Sequence, residues 1–165
     1  MSTDAIVILR DDHKEVRALF REFESRSTTR ARKGAIVRKV IQLLTQHTYI
    51  ENEVMYPAVR ALLPDLEQDV LESYEEHHVA DVLVMELATM TPKDERFEAK
   101  TTVLIENVRH HMDEEESDWF PKVREGLSRS TLRELGLQLV EAKKRAPRSP
   151  AQPSALKKAI DAVVA

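Results

Sequence analysis

The chain has 165 residues, 42% hydrophobic and 33% charged, with 3 glycines: enough for one domain with a real core, and a composition that suits helices packed on helices better than a strand-rich sandwich. It has no cysteine, which excludes disulfides and thiolate metal sites and leaves nitrogen and oxygen to hold any iron, manganese or zinc. Lys plus Arg come to 25 and Asp plus Glu to 29, a net charge of −4 that makes no electrostatic case for nucleic acid or an acidic membrane surface; with no signal-peptide pattern and no bilayer-spanning apolar run, the expected location is the cytoplasm.

A first helix is expected from Asp4, a good N-cap, to about Ser25, because Leu9, His13, Val16, Phe20 and Phe23 fall at alternating steps of four and three. His13 therefore lies on a buried seam. The polar, basic stretch 25–34 reads as a turn, after which Ile36, Val40, Leu43, His47, Ile50 and Val54 repeat the stripe and turn His47 to the core. Pro57 cannot donate a helical hydrogen bond and is expected to kink or end the second helix, with 58–63 as a short extension. Pro64 and Asp65 open a third helix over about 66–90, with Val70, Tyr74, His77, Val84 and Leu87 inward, and Thr91-Pro92 ends it. A fourth helix is expected over about 93–120, with Leu104, Val108, His111 and Glu115 on one face and Pro121 as the break.

Four long helices with short links make an all-α, up-down-up-down antiparallel four-helix bundle over residues 1–126. Ser128 caps an additional helix within 127–145, carrying Leu132, Leu135, Leu139 and Val140. Residues 146–165 read as a Pro/Ala-rich linker followed by a short terminal helix over 155–165.

Within this frame the chain repeats itself. His47-x-x-x-Glu51, closed by Tyr56-Pro57, returns as His111-x-x-x-Glu115, closed by Phe120-Pro121. The i, i+4 spacing puts histidine and glutamate on one helix face, where both can grip one ion. Each copy has an upstream histidine 34 residues earlier, His13 and His77, and the two sets are offset by 64 residues. One histidine on an apolar seam is usually a satisfied core residue. Four of them with two carboxylates, all on core stripes, cost stability unless something neutralises them, and a cation does so. Imidazole with carboxylate suits iron or manganese, and zinc less well once ligands exceed about four. Six ligands, two of them glutamates able to bridge, suggest two ions.

These residues resemble the hemerythrin-type HHE cation-binding domain over roughly 12–121. The resemblance rests on Asp12-His13, His47-x-x-x-Glu51 with Tyr56-Pro57, Glu76-His77, and His111-x-x-x-Glu115 with Phe120-Pro121. It implies a non-haem centre of two iron ions joined by an oxo or hydroxo bridge, inside an antiparallel four-helix bundle. The metal ligands it implies are His13, His47, Glu51, His77, His111 and Glu115, the glutamates bridging and the histidines capping either side. Oxygen-carrying members have a second histidine one turn before the helix 3 ligand, where this chain has Ser73. Two six-coordinate irons offer about twelve positions, of which about ten are then filled, leaving roughly one vacancy on each. Reversible oxygen carriage wants one vacancy on one iron. The resemblance with this departure therefore implies a centre that meets peroxide, oxygen or nitric oxide, with catalase-like disproportionation of peroxide as the expected activity. A non-catalytic oxygen, nitric oxide or iron binder or sensor is the alternative.

Several neighbours leave the assignment open. His78 and His110 adjoin expected ligands and each can replace its neighbour, but only His77 and His111 keep the 34-residue spacing. Asp81, one turn after His77, corresponds to Arg17 in the first half and reads as a surface or supporting residue. Residues 113–116 read as a solvated face with Glu115 alone turned inward. Tyr74, three residues before His77, is expected to aim its phenol at the metal or to hydrogen-bond a ligand. Tyr56, five residues beyond Glu51, is the weaker candidate, off the ligand face unless Pro57 distorts the turn. A ferritin-like di-iron bundle needs Glu-x-x-His on two helices, and only Glu75-x-x-His78 is present.

Overall fold

The structure, a computed structural model, describes residues 3–150; the terminal helix expected over 155–165 lies outside the described residues. Among the described residues the chain is helical and has no strand. α1 (Ala5–Glu24) starts where the Asp4 carboxylate accepts the N–H groups of Ile6 at 2.9 Å and Val7 at 3.3 Å. α2 (Arg30–Ile50) begins sooner than its basic composition suggests, because Thr29 caps it by accepting the Arg32 N–H at 3.2 Å. The turn shrinks to residues 25–29, and Arg30 and Arg32 ride the exposed side of the first helical turn.

Neither proline ends its helical run. After α2 the chain widens into a π turn, Glu51–Met55, and continues as α3 (Tyr56–Leu62). After α5 (Phe97–Glu114) the same thing happens: a π turn, Glu115–Trp119, then α6 (Phe120–Gly126). Pro57 and Pro121 each fall in the first turn of the following α segment, where a missing N–H is tolerated. Between the two halves, a 3-10 turn at Pro64–Leu66 leads into α4 (Glu67–Ala88). α5 starts at Phe97 rather than near residue 93, because the Asp94 carboxylate accepts the Thr91 N–H at 2.6 Å and its hydroxyl at 3.1 Å, tying 91–94 into a turn.

Two apolar clusters fill the interior. Val16, Phe20, Phe23, Val40, Leu44, Val84, Leu87, Leu104 and Val108 belong to one; Ile6, Leu9, Ile50, Tyr56, Val70, Trp119 and Phe120 belong to the other. α1 and α4 pass from the second cluster to the first along the chain; α2 runs the reverse way, as does α5 with the π turn and α6 that continue it. The buried histidines and glutamates sit where the helices cross between clusters. Leu43, Val54 and Tyr74, expected inward, are only partly buried, and Val37, Ile41 and Leu44 supply much of the α2 face instead.

α7 (Arg129–Arg145) starts at Ser128, whose hydroxyl accepts the Thr131 N–H at 3.1 Å. Its Leu132, Leu135 and Leu139 enter the second cluster, against α1, α2 and the first π turn, while Val140 stays 38% exposed. Gly136 lies on the packed face. A Cβ there would stand 1.6 Å from the Thr3 carbonyl oxygen, so only glycine lets the N-terminal backbone cross α7 at this point. Among the described residues no helix is long and apolar enough to cross a membrane.

Candidate metal centre

His13, His47, Glu51, His77, His111 and Glu115 are all buried, Glu51 completely. The Nε2 atoms meet in pairs, His13 with His47 at 3.2 Å and His77 with His111 at 3.0 Å. Each carboxylate reaches both pairs. Glu51 Oε2 lies 3.3 Å from His47 Nε2 and 3.2 Å from His77 Nε2. Glu115 divides its oxygens, Oε2 at 3.3 Å from His13 Nε2 and Oε1 at 3.5 Å from His111 Nε2. Ligand atoms of His13, His47, Glu51 and Glu115 all fall within 4.8 Å of one another, as do those of Glu51, His77 and His111. Either group can hold a cation, with Glu51 common to both.

The outward-facing ring nitrogens decide what the inward ones can do. His13 Nδ1 lies 2.7 Å from Glu116, His47 Nδ1 3.1 Å from Asp12, and His77 Nδ1 2.9 Å from Asn52 Oδ1, while His111 Nδ1 bonds Glu76. All four partners are oxygen acceptors, so each Nδ1 carries the proton and donates it, and each Nε2 is left with a lone pair aimed inward. That is the tautomer of a metal-ligating histidine, with its orientation fixed by the outer hydrogen bond. Two Nε2 atoms 3.0–3.2 Å apart repel unless a proton or a metal lies between or beside them. The carboxylates make the same demand: Glu51 Oε1 and Glu115 Oε2 are buried without a hydrogen-bond donor. The residues present thus fit a cation that takes nitrogen and oxygen ligands.

So long as no cation competes, protons take its place. Burial opposes a charge on His47, but Glu51 and Asp12 outweigh it and hold the ring's proton well above the usual imidazole range. Burial likewise raises Glu51, and His47 and His77 pull it well below the usual carboxylate range. His111, against burial, is pushed up to about 9 by Glu115, Glu76 and Glu51. A base whose pKa rises on folding adds stability that is complete below its unfolded value near 6.5 and is lost as pH climbs through about 9. Chelator-stripped protein is therefore expected to lose on the order of 3 kcal/mol from this group between pH 6.5 and 9. Urea midpoints across that window measure it, and a flat profile would show that His111 carries no such proton.

The tyrosine in the centre is Tyr56, not Tyr74. Tyr56 is wholly buried and its hydroxyl donates to Glu115 Oε1 at 2.9 Å; the same oxygen stands 3.1 Å from His77 Nε2 and 3.4 Å from His111 Nε2 and Glu51 Oε2. The cause is the π turn. Its i→i+5 hydrogen bonding sends the Tyr56 N–H to the Glu51 carbonyl and carries the fifth residue back over the first. Tyr74 instead packs edge-on against the Tyr56 ring, centroids 5.3 Å apart. Burial, then the Glu115 and Glu51 charges, raise the Tyr56 phenol well above its usual range. In the second half the corresponding residue is Phe120, whose N–H likewise reaches the Glu115 carbonyl and whose ring stacks on His13 at 5.7 Å. The two halves carry the same histidines and glutamate but differ by one hydroxyl.

Other neighbours fall into place around this core. His110 is 67% exposed and pairs with Glu114 at 3.1 Å; with Glu76 it forms a further group within ligand distance, outside the buried centre. His78 is half-buried. Asp81 is buried rather than on the surface. Glu116 corrects the reading of 113–116 as solvated apart from Glu115: it holds His13 and is bound in turn by Arg17 at 2.6 Å. Its position next to Glu115 matches that of Asn52 next to Glu51, a correspondence present in the sequence but without meaning until the π turns are known. A cavity of about 20 Å³ lies against the histidines, walled by Val16, Leu44, Ala80, Val84, Val108 and Met112, with room for about one water-sized molecule. A second cavity of about 280 Å³, lined by Asp69, Glu72, Glu76, Glu114 and Asp118, reaches His111 and Glu115 past Ser73.

Comparison with known proteins bears on the same residues. Residues 4–123 match the family described as Hemerythrin HHE cation binding domain. A DNA nickase from Nostoc sp. (strain PCC 7120) is 28% identical over 138 residues, covering 84% of this chain. This chain spans only 38% of that protein's length. The crystal structure of a hemerythrin HHE cation binding domain-containing protein from Mycobacterium kansasii superposes with a TM-score of 0.68 at 22% identity, covering 86% of each chain. That likeness shows a hemerythrin-like fold. Given the match over most of its length and a buried histidine and carboxylate cluster able to hold a cation, the chain belongs to the hemerythrin HHE cation-binding domain family.

Proposed function

We propose that this chain holds two non-haem iron ions and disproportionates peroxide. Residues 1–126 would form the up-down-up-down antiparallel bundle that carries the centre and 127–145 an added helix; the alternating order in which α1, α2, α4 and the run from α5 to α6 pass between the two apolar clusters supports this. His13 and His47 would hold one ion and His77 and His111 the other, with Glu51 and Glu115 placed to serve both. The observation that carries the reading is the span of the two carboxylates: each lies within 3.5 Å of an Nε2 from both pairs. Bound there, iron supplies a redox-active Lewis acid to a small oxidant.

The chain's own residues do the rest. Asp12, Asn52, Glu76 and Glu116 fix the tautomers, and the two apolar clusters shield the centre along the bundle, which strengthens the charge interactions between them. Tyr56 holds a proton 2.9 Å from Glu115, available to a guest at the centre. The polar cavity past Ser73 suits peroxide, a neutral molecule that both donates and accepts hydrogen bonds. The small apolar cavity suits oxygen or nitric oxide instead, and favours the second reading, a non-catalytic binder or sensor.

Metal analysis of protein purified without added iron comes first; fewer than two ions per chain sinks the two-iron reading. Oxygen evolution from added peroxide separates catalyst from binder, since a binder stops after about one equivalent per site. Ser73 stands one turn before His77, and a histidine placed there would compete for a position on the nearby ion. Ser73→His is expected to slow peroxide turnover at least several-fold without loss of metal. Unchanged turnover with the new histidine bound would refute the vacancy argument.

A further inference from the structure

The four oxygen acceptors that orient the histidines are not held alike. Around the first pair both are anchored by cations. Asp12 accepts the His47 Nδ1–H through Oδ2 at 3.1 Å and binds Lys143 of α7 through Oδ1. Glu116, which holds His13, is bound by Arg17 at 2.6 Å. Around the second pair the acceptors are Asn52, which is neutral, and Glu76, which lines the acidic cavity beside Glu114. Lys143 thus ties the centre to α7, which lies outside residues 4–123 and packs on α1, α2 and the first π turn.

We propose that α7 is a clamp on one of the two metal positions: Lys143, acting through Asp12, fixes the His47 ring and so governs how tightly the ion of the His13–His47 pair is held. The proposal rests on the two-ion reading given above. Asp12 is 15% exposed, close enough to water for its carboxylate to turn outward once the lysine is gone. His47 would then lose the acceptor that sets its tautomer and ring plane. Loss of such an outer hydrogen bond weakens metal binding roughly ten- to a hundred-fold. His77 and His111 give their outer bonds to Asn52 of the first π turn and Glu76 of α4, while the Lys143 ammonium is bound to Asp12. Lys143 is a positioning residue, since it touches no proposed ligand.

The test uses the full chain loaded with two ferrous ions per chain under anaerobic conditions, challenged with a strong chelator, with ions released counted against time. In Lys143→Met, which keeps the length of the side chain and removes its charge, one ion per chain is expected to leave roughly ten- to a hundred-fold faster while the other leaves at the wild-type rate. Lys143→Arg should restore the slow phase, and Lys144→Met, on the same helix but paired with Glu141, should leave both phases unchanged. Equal acceleration of both ions, or none, in Lys143→Met overturns the clamp, the first by showing general loosening and the second by showing no coupling. A wild-type chain that takes up fewer than two ions fails earlier, at the two-ion reading itself.

Discussion

His47→Ala is expected to strip most of the bound metal and to lower the melting temperature by about 10 °C. The imidazole supplies one of four inward Nε2 atoms and is the neighbour of Glu51 within its own helical run, Nε2 to Oε2 at 3.3 Å. Its removal leaves Glu51, with no exposed surface, short of a counter-charge, and leaves Asp12 without the N–H it accepts. Breaking one side of a buried pair costs about 3–5 kcal/mol, and for a chain of this size each kcal/mol moves the midpoint by roughly 2–4 °C. Scanning calorimetry and metal analysis on the same preparation measure both effects. Glu115→Ala should behave alike, since Glu115 also reaches both histidine pairs. His110→Ala, at a largely exposed position, should leave metal and melting unchanged. The opposite pattern on α5, metal lost in His110→Ala and kept in His111→Ala, would falsify the register assigned to that helix.

The second large effect is spectroscopic. Loaded with ferric iron, the protein is expected to show an intense visible charge-transfer band, abolished in Tyr56→Phe and kept in Tyr74→Phe. The Tyr56 oxygen is 3.1 Å from His77 Nε2 and 2.9 Å from Glu115 Oε1, inside the volume that the second pair and its carboxylates enclose. Burial and two carboxylates hold the proton on this phenol, and a ferric ion is the one neighbour with the charge to reverse that balance. A band that outlives Tyr56→Phe but not Tyr74→Phe would return the role to Tyr74. If wild-type protein shows no such band, Tyr56 remains a hydrogen-bond donor to Glu115, and its replacement should alter reactivity while leaving the visible spectrum as it was.

Much of this arrangement was legible before any coordinates. The stripe through Leu9, His13, Val16, Phe20 and Phe23 and the 34-residue spacing of histidines placed all six inward groups on buried faces, because periodicity and repetition are carried by the sequence itself. What could not be read was geometry that depends on hydrogen bonding across helices. Asp12 and Glu76 were visible as the residues preceding His13 and His77, yet each orients a histidine on a different helix. Tyr56 was misplaced for a related reason: at 3.6 residues per turn the fifth residue falls off the ligand face, and nothing but a π turn brings it back. Pro57 and Pro121 signalled a disturbance without saying that it would be an expansion rather than a break. Helix starts were missed where a short side-chain bond decided them, at Thr29 and Asp94.

The crossing of the N-terminal backbone over Gly136 has a bearing on the order in which the molecule is completed. Lys143 and Asp12 are 131 positions apart, and Thr3 is slightly farther still from the glycine whose missing side chain admits it. Contacts so distant along the chain form after local ones, since the loop between them must close first. During synthesis every expected ligand, from His13 to Glu115, has been made before the codon for Gly136 is reached. A nascent chain can thus gather both histidine pairs while α7 is still absent, and α7 then closes over a centre already assembled.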